Sequence, residues 1–120
     1  MRPGDTFRIT EAGVPSNLWL VLAVDLTGTL LIAPLFPANH VSFDDACVFR
    51  ANEHSEVSRD SFVNYELVRR VTAETFETLR KFIADRTAFP SELLERARLG
   101  CMNSFQASDD HQDFLVQNWN

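Results

Sequence analysis

Residues 17–35 read NLWLVLAVDLTGTLLIAPL. Two dense apolar runs, Leu18–Val24 and Leu30–Leu35, flank Asp25-Leu26-Thr27-Gly28. Runs of this length, rich in branched and aromatic residues and split by a short connection ending in glycine, predict an antiparallel hairpin. Neither run alternates strictly with polar residues, so both faces of the hairpin are expected to be covered, at the centre of a sheet.

Upstream, Asp5–Ile9 alternates Phe7 and Ile9 with Thr6 and Arg8, the period of a strand with one buried face. Residues 10–17 contain Gly13, Pro15, Ser16 and Asn17, a loop composition. Downstream, Pro34 and Pro37 are expected to end the second long strand. Ala46–Phe49 is a short strand, Arg50–Arg59 a polar and mobile loop, and Asp60–Val71 one or two further strands. About five short strands over the first 71 residues predict a small barrel or sandwich.

The pattern changes at Thr72. Thr72 is placed to cap a helix, and Phe76, Leu79 and Ile83 share one helical face that Asp85-Arg86-Thr87 and Pro90 bring to an end. A second helix starts near Pro90 and Ser91, with Leu94, Ala97 and Cys101 on one side and Glu92, Glu95, Arg96 and Arg98 on the solvated side. Gly100 is expected to stop this helix or to weaken it by ~1 kcal/mol relative to alanine. Ser108 caps a last short helix through Phe114, Leu115 and Trp119, whose apolar residues need a docking surface. The expectation is one domain over 1–120, a β-barrel over 1–71 followed by a helical extension over 72–120.

No apolar run reaches the roughly 18 residues of a membrane span. The opening Met-Arg-Pro-Gly-Asp has no apolar signal core, which predicts a cytoplasmic protein without a membrane partner. Cys47 and Cys101 are then expected to be reduced thiols. Neither sits in a Cys-x-x-Cys pair, and no metal or other cofactor is expected. The formal charge is −6, spread evenly, and ten of the eleven Lys and Arg residues are Arg. This field repels nucleic acid at long range while leaving room for a local arginine site.

Chemistry concentrates in residues 43–65, FDDACVFRANEHSEVSRDSFVNY. Histidine, arginine and a hydroxyl form a set that cleaves RNA without a metal: histidine takes the 2′-hydroxyl proton and arginine holds the phosphorane charge. A polar surface loop laced with salt bridges is the structural alternative. His54, Arg59 and Ser61 are the catalytic candidates, as base or acid, phosphate clamp and hydrogen-bond donor. Arg8, Arg50 and Tyr65 are the candidate substrate-binding groups. Asp60 and Ser61 at a strand start also suit local backbone capping. Cys47, among Ala46, Val48 and Phe49, reads as a buried thiol. His40 reads as structural and His111 as a surface residue.

Pro3-Gly4-Asp5 before a first strand, a loop, then Leu18-Trp19-Leu20-Val21-Leu22, resembles the opening of the MazF/PemK-like toxin superfamily. The run Cys47-Val48-Phe49-Arg50, Glu53-His54 and Arg59–Tyr65 is similar to small bacterial relatives of that barrel. The resemblance covers roughly residues 3–71. It implies an SH3-like antiparallel barrel followed by two or three helices, a metal-independent endoribonuclease acting on RNA, an antitoxin partner and a homodimer. The ribonuclease toxins place an arginine in the loop before the second strand. Here that loop, residues 12–17, has Pro15 and no arginine, so Arg8, Arg50 or Arg59 would supply it. Ser61 is the nearest match to the Ser or Thr that the toxins place near the start of a later strand.

Two other classes compete. A non-catalytic interaction module on the same barrel would dock a partner or a second copy through Phe105, Phe114, Leu115 and Trp119. A cation-dependent hydrolase would use Asp44, Asp45 and His54.

Overall fold

The computed structural model describes residues 1–10 and 16–120. The loop whose missing arginine matters for the resemblance falls largely in 11–15, outside the described residues.

The hairpin forms as the apolar runs predict. Strands β2 (Leu18–Val24) and β3 (Leu30–Pro37) pair antiparallel, with a register shift between Val21 and Ala23. Gly28 closes the turn at φ 83°, a backbone angle that disfavours other residues, while Asp25 Oδ1 accepts from Thr27 N and Thr29 N. Strand β1 (Thr6–Ile9) pairs with β2. The far edge of β3 is shared: β5 (Ser61–Val63) takes its C-terminal end and β6 (Arg69–Val71) its N-terminal end. β4 (Val48–Phe49) adds to β5.

Beyond Val71 the helical expectation holds only in part. Thr72 caps α1 (Ala73–Leu79) through a bond from Thr75 N. A single 3₁₀ turn follows, and Ile83–Arg86 then runs as a strand, β7, paired antiparallel with β1. The i, i+3, i+7 pattern of Phe76, Leu79 and Ile83 extends the predicted helix too far. The open edge of β1 supplies backbone partners, and Thr10 N donates to Phe82 O at 2.6 Å as the ladder begins. Helices α2 (Ser91–Asn103) and α3 (Asp109–Gln117) follow, and Ser108 caps α3 as expected.

The strand path runs β4-β5-β3-β2-β1-β7, with β6 off β3. The architecture is a mainly antiparallel sheet followed by helices. The pairings among the described residues leave two sheet ends, β4 and β7, and do not close the sheet into the small, partly open barrel expected. Side chains of the 50–60 loop bridge these ends instead.

Both sheet faces are covered, which explains the unbroken apolar runs. Leu20, Leu22, Leu31, Ala33 and Leu35 enter a larger core that also takes in Leu93, Ala97, Cys101, Phe114 and Leu115. Phe7, Val21, Leu30 and Ile32 form a second core, joined by Trp19, Phe76 and Ile83. Phe76 meets Phe7 edge-to-face at 5.7 Å, so α1 covers this second face. On β5, Phe62 is fully buried between Phe36 and Phe43, and His40 stands edge-on to Phe36 as a structural residue.

Candidate functional site

The residues singled out in 43–65 lie on and around one hairpin. β4 and β5 pair Phe49 with Ser61, which brings Arg50 and Asp60 opposite each other just beyond the ladder. Arg50 Nη1 and Asp60 Oδ2 are 3.6 Å apart, and their side chains are 78% and 48% exposed. An exposed pair at this distance contributes little to stability, so Arg50 is available to an anion.

The 50–60 loop is stitched down rather than mobile. Asn52 takes a left-handed conformation, φ 68°, and donates to Val57 O, while Val57 is buried. Arg50 N donates to Glu53 Oε2 and Ala51 N to Asp60 Oδ1. Glu53 pairs with Arg96 on α2 at 2.9 Å, and Glu56 with Arg86 on β7 at 2.9 Å. Arg96 also donates to Val48 O and lies over the Phe49 ring. The hydrogen bonds from Arg96 and Arg86 hold the Glu53 and Glu56 carboxyls below their ordinary value. Lowered carboxylate pKa values stabilise the fold above the unfolded value and lose that contribution as pH falls through the lowered ones. On acidification below the ordinary value of 4.5, the amides of Asn52 and Val57 are therefore expected to lose protection from hydrogen exchange before those of β2 and β3. Simultaneous loss in loop and core would contradict this assignment.

His54 is one of the stitches. Its Nδ1 accepts from Glu56 N at 3.1 Å, so Nε2 carries the proton and donates to Ala88 O at 2.9 Å. Its ring packs on Phe89, with centroids 4.5 Å apart. Both nitrogens are engaged, and the imidazole pins the loop to the segment before α2. Arg59 is exposed, and among the described residues it makes no ion pair. Ser61 is half-buried and its hydroxyl donates to Arg59 O at 2.9 Å. Arg8 leaves β1 to donate to Ser16 O at 2.9 Å, beside the loop that precedes β2.

Tyr65, placed among substrate-binding groups from sequence, is 1% exposed and donates to Ala97 O at 2.5 Å. It joins α2 to the core and faces no solvent. Burial pushes its hydroxyl pKa up, and pushes the Cys47 and Cys101 thiols up to about 11. Both thiols are free and buried, as an inert role requires.

The set for a cation-dependent hydrolase does not assemble. Asp44 Oδ1 accepts from Ala46 N and Oδ2 from Ser104 Oγ, and among the described residues no group of three His, Cys, Asp or Glu comes together. The docking surface expected at the C-terminal end is also largely consumed within the chain. Phe114 and Leu115 are buried and Trp119 packs on the larger core, while Phe105 remains fully exposed. Arg98, expected on the solvated side of α2, is 6% exposed.

Beside the hairpin an open groove of ≈ 630 Å³ runs along the junction with α2, lined in part by Phe43, Asp45, Arg50, Asp60, Leu99 and Asn103. None of the helices is long and apolar enough to cross a membrane among the described residues.

Fold and site together define a mainly antiparallel sheet with C-terminal helices and an arginine-bearing hairpin at the β4 end. The chain is similar in fold to an endoribonuclease solved in complex with its cognate antitoxin from a mycobacterial species. The TM-score is 0.54 at 8% identity, over 83% of this chain and 89% of that one. The fold that the sequence resemblance implies thus has a counterpart in a solved backbone. No family model and no curated protein matches the sequence.

Proposed function

We propose that this chain is the toxin-like member of a bacterial toxin–antitoxin pair and that it cleaves single-stranded RNA in the cytoplasm as a homodimer. The observation that carries this is the shared fold with the antitoxin-bound endoribonuclease over most of both chains. The exposed hairpin adds a chemical reason. In such cleavage the 2′-hydroxyl oxygen attacks the adjacent phosphorus as its proton passes to water, and the 5′-oxygen leaves taking a proton from water, so charge grows on the non-bridging oxygens. Arg59 is free to neutralise that charge, Ser61 can turn its hydroxyl from Arg59 O to a phosphate oxygen, and Arg50 lies across the hairpin. His54 then acts as a positioning residue that holds the loop carrying them.

The assay is cleavage of a mixed RNA pool in the presence of a chelator. The double variant R59A/S61A is expected to lose about 100-fold or more in rate, the scale for removing charge-stabilising donors. Equal cleavage by variant and wild type would remove the assignment of these residues.

A second class, the non-catalytic interaction module, is favoured by one observation: both nitrogens of His54 are occupied. It predicts antitoxin binding with no cleavage by the wild-type protein.

A further inference from the structure

The groove between α2 and the β4–β5 hairpin shares Arg50 with the cleavage chemistry above, and its walls carry exposed apolar side chains. Phe43 is 46% exposed on one side and Leu99 48% exposed on the α2 side. The Phe43 ring is held edge-on to buried Phe62, at 5.3 Å and 79°, so it is a fixed surface rather than a loose side chain. Gly100, beside Leu99 on the α2 wall, lets the helix approach Ala46 and Cys47 at the base of the groove. Around these apolar elements stand two cations, Arg50 and the Glu53-paired Arg96, two carboxylates, Asp45 and Asp60, and the Asn103 amide.

An apolar slot edged by hydrogen-bonding groups of both polarities suits a flat, polar-edged heteroaromatic ring with an anion attached to it. A nucleotide of a single strand has that chemistry; a duplex does not, because its bases are stacked inward. We infer that this groove seats one base of single-stranded RNA between Phe43 and Leu99. Asp45 and Asn103 read its edge, and Arg50 meets the adjoining phosphate. The choice of RNA as ligand rests on the proposed function. Asp45 accepts from an exocyclic amino group, which adenine, cytosine and guanine carry and uracil lacks. With two carboxylates at the rim against two cations, of which Arg96 is already paired with Glu53, binding draws on stacking more than on phosphate charge. The slope of log affinity against log salt is accordingly shallow, near the ~−0.7 of a single phosphate contact on a single strand.

The test is fluorescence anisotropy with labelled oligo(A), oligo(C) and oligo(U), run on the full chain beside the cleavage assay. F43A is expected to weaken oligo(A) binding about tenfold or more, as removal of a stacking platform does, and F43W to retain it. L99A, at an exposed position, is expected to weaken it as well, which guards against a folding defect in F43A. Oligo(U) is expected to bind more weakly than oligo(A). Unchanged RNA affinity in both F43A and L99A overturns the inference, as does wild-type protein that binds none of the three. If those variants instead weaken binding of an antitoxin alone, the groove belongs to a protein partner and the inference is overturned too. The two proposals fail separately. A wild type that binds through Phe43 without cleaving removes the ribonuclease, and one that cleaves while ignoring Phe43 removes this site.

Discussion

Replacing Gly100 by alanine is expected to destabilise the protein by about 1–3 kcal/mol or more, the cost of overpacking a filled core. For a mid-helix glycine, helix propensity alone predicts the opposite sign, a gain of up to ~1 kcal/mol. Gly100 lies inside α2 and is buried. A Cβ there would overlap Tyr65 Oη, approach Cys47 Cβ to 2.7 Å and Ala46 O to 3.0 Å. The last of these is backbone, and Cys47 Cβ is fixed to it, so neither retreats by a side-chain rotation. The Tyr65 hydroxyl is itself tied to Ala97 O. Thermal denaturation of G100A should therefore show a lower midpoint, and an unchanged or higher one would show that α2 does not press on Ala46 and Cys47, just before β4. Adding Y65F removes the nearest clashing atom. In a double-mutant cycle the Y65F/G100A protein should lose less than the sum of the single changes.

Arg98→Met is expected to cost roughly 2–4 kcal/mol, because hydrogen bonds from a charged donor are worth about 1.5–3 kcal/mol and one abandoned acceptor, Leu22 O, is buried. Arg98 sits on α2 at 6% exposure. Its Nε donates to Leu22 O at 2.8 Å, Nη1 to Trp119 O at 2.5 Å and Nη2 to Asn120 O at 3.4 Å. The guanidinium also lies 5.3 Å from the Trp119 ring centroid. Burial holds its pKa below the ordinary arginine range, with Glu95 acting in the opposite sense. One side chain thus joins α2, strand β2 and the segment after α3. Arg98→Lys keeps the charge but not the fork, so it is expected to recover only part of the loss. Denaturant unfolding followed by tryptophan fluorescence checks both variants, since Trp119 reports on the clasp. Wild-type stability in Arg98→Met would mean that the C-terminal segment holds without it.

Much of the fold was legible because the signals were local. The hairpin follows from two apolar runs and a glycine turn, and the starts of α1 and α3 from the capping hydroxyls of Thr72 and Ser108. Strand β7 was not legible, because Phe76, Leu79 and Ile83 keep helical spacing and only the open edge of β1 turns Ile83–Arg86 into a strand. Arg98 carried a usable signal: it shares the helical face of Leu94, Ala97 and Cys101, so its burial was readable from spacing if not from residue type. The roles of the site residues were hidden for a related reason. His54, Glu53 and Glu56 find their partners at Ala88, Arg96 and Arg86, far along the chain.

The local order of strands and helices, the two-sided burial of the central hairpin and the acidic field are properties of the linear chain. They depend on near neighbours, on residue spacing and on total charge. What tertiary structure alone decided is where distant segments meet. It made Tyr65 a core tie, His54 a pin and Gly100 a point of contact, and it opened the groove beside Phe43. Each depends on the docking of α2 against the β4–β5 hairpin, and packing at that distance leaves no periodic trace in either segment.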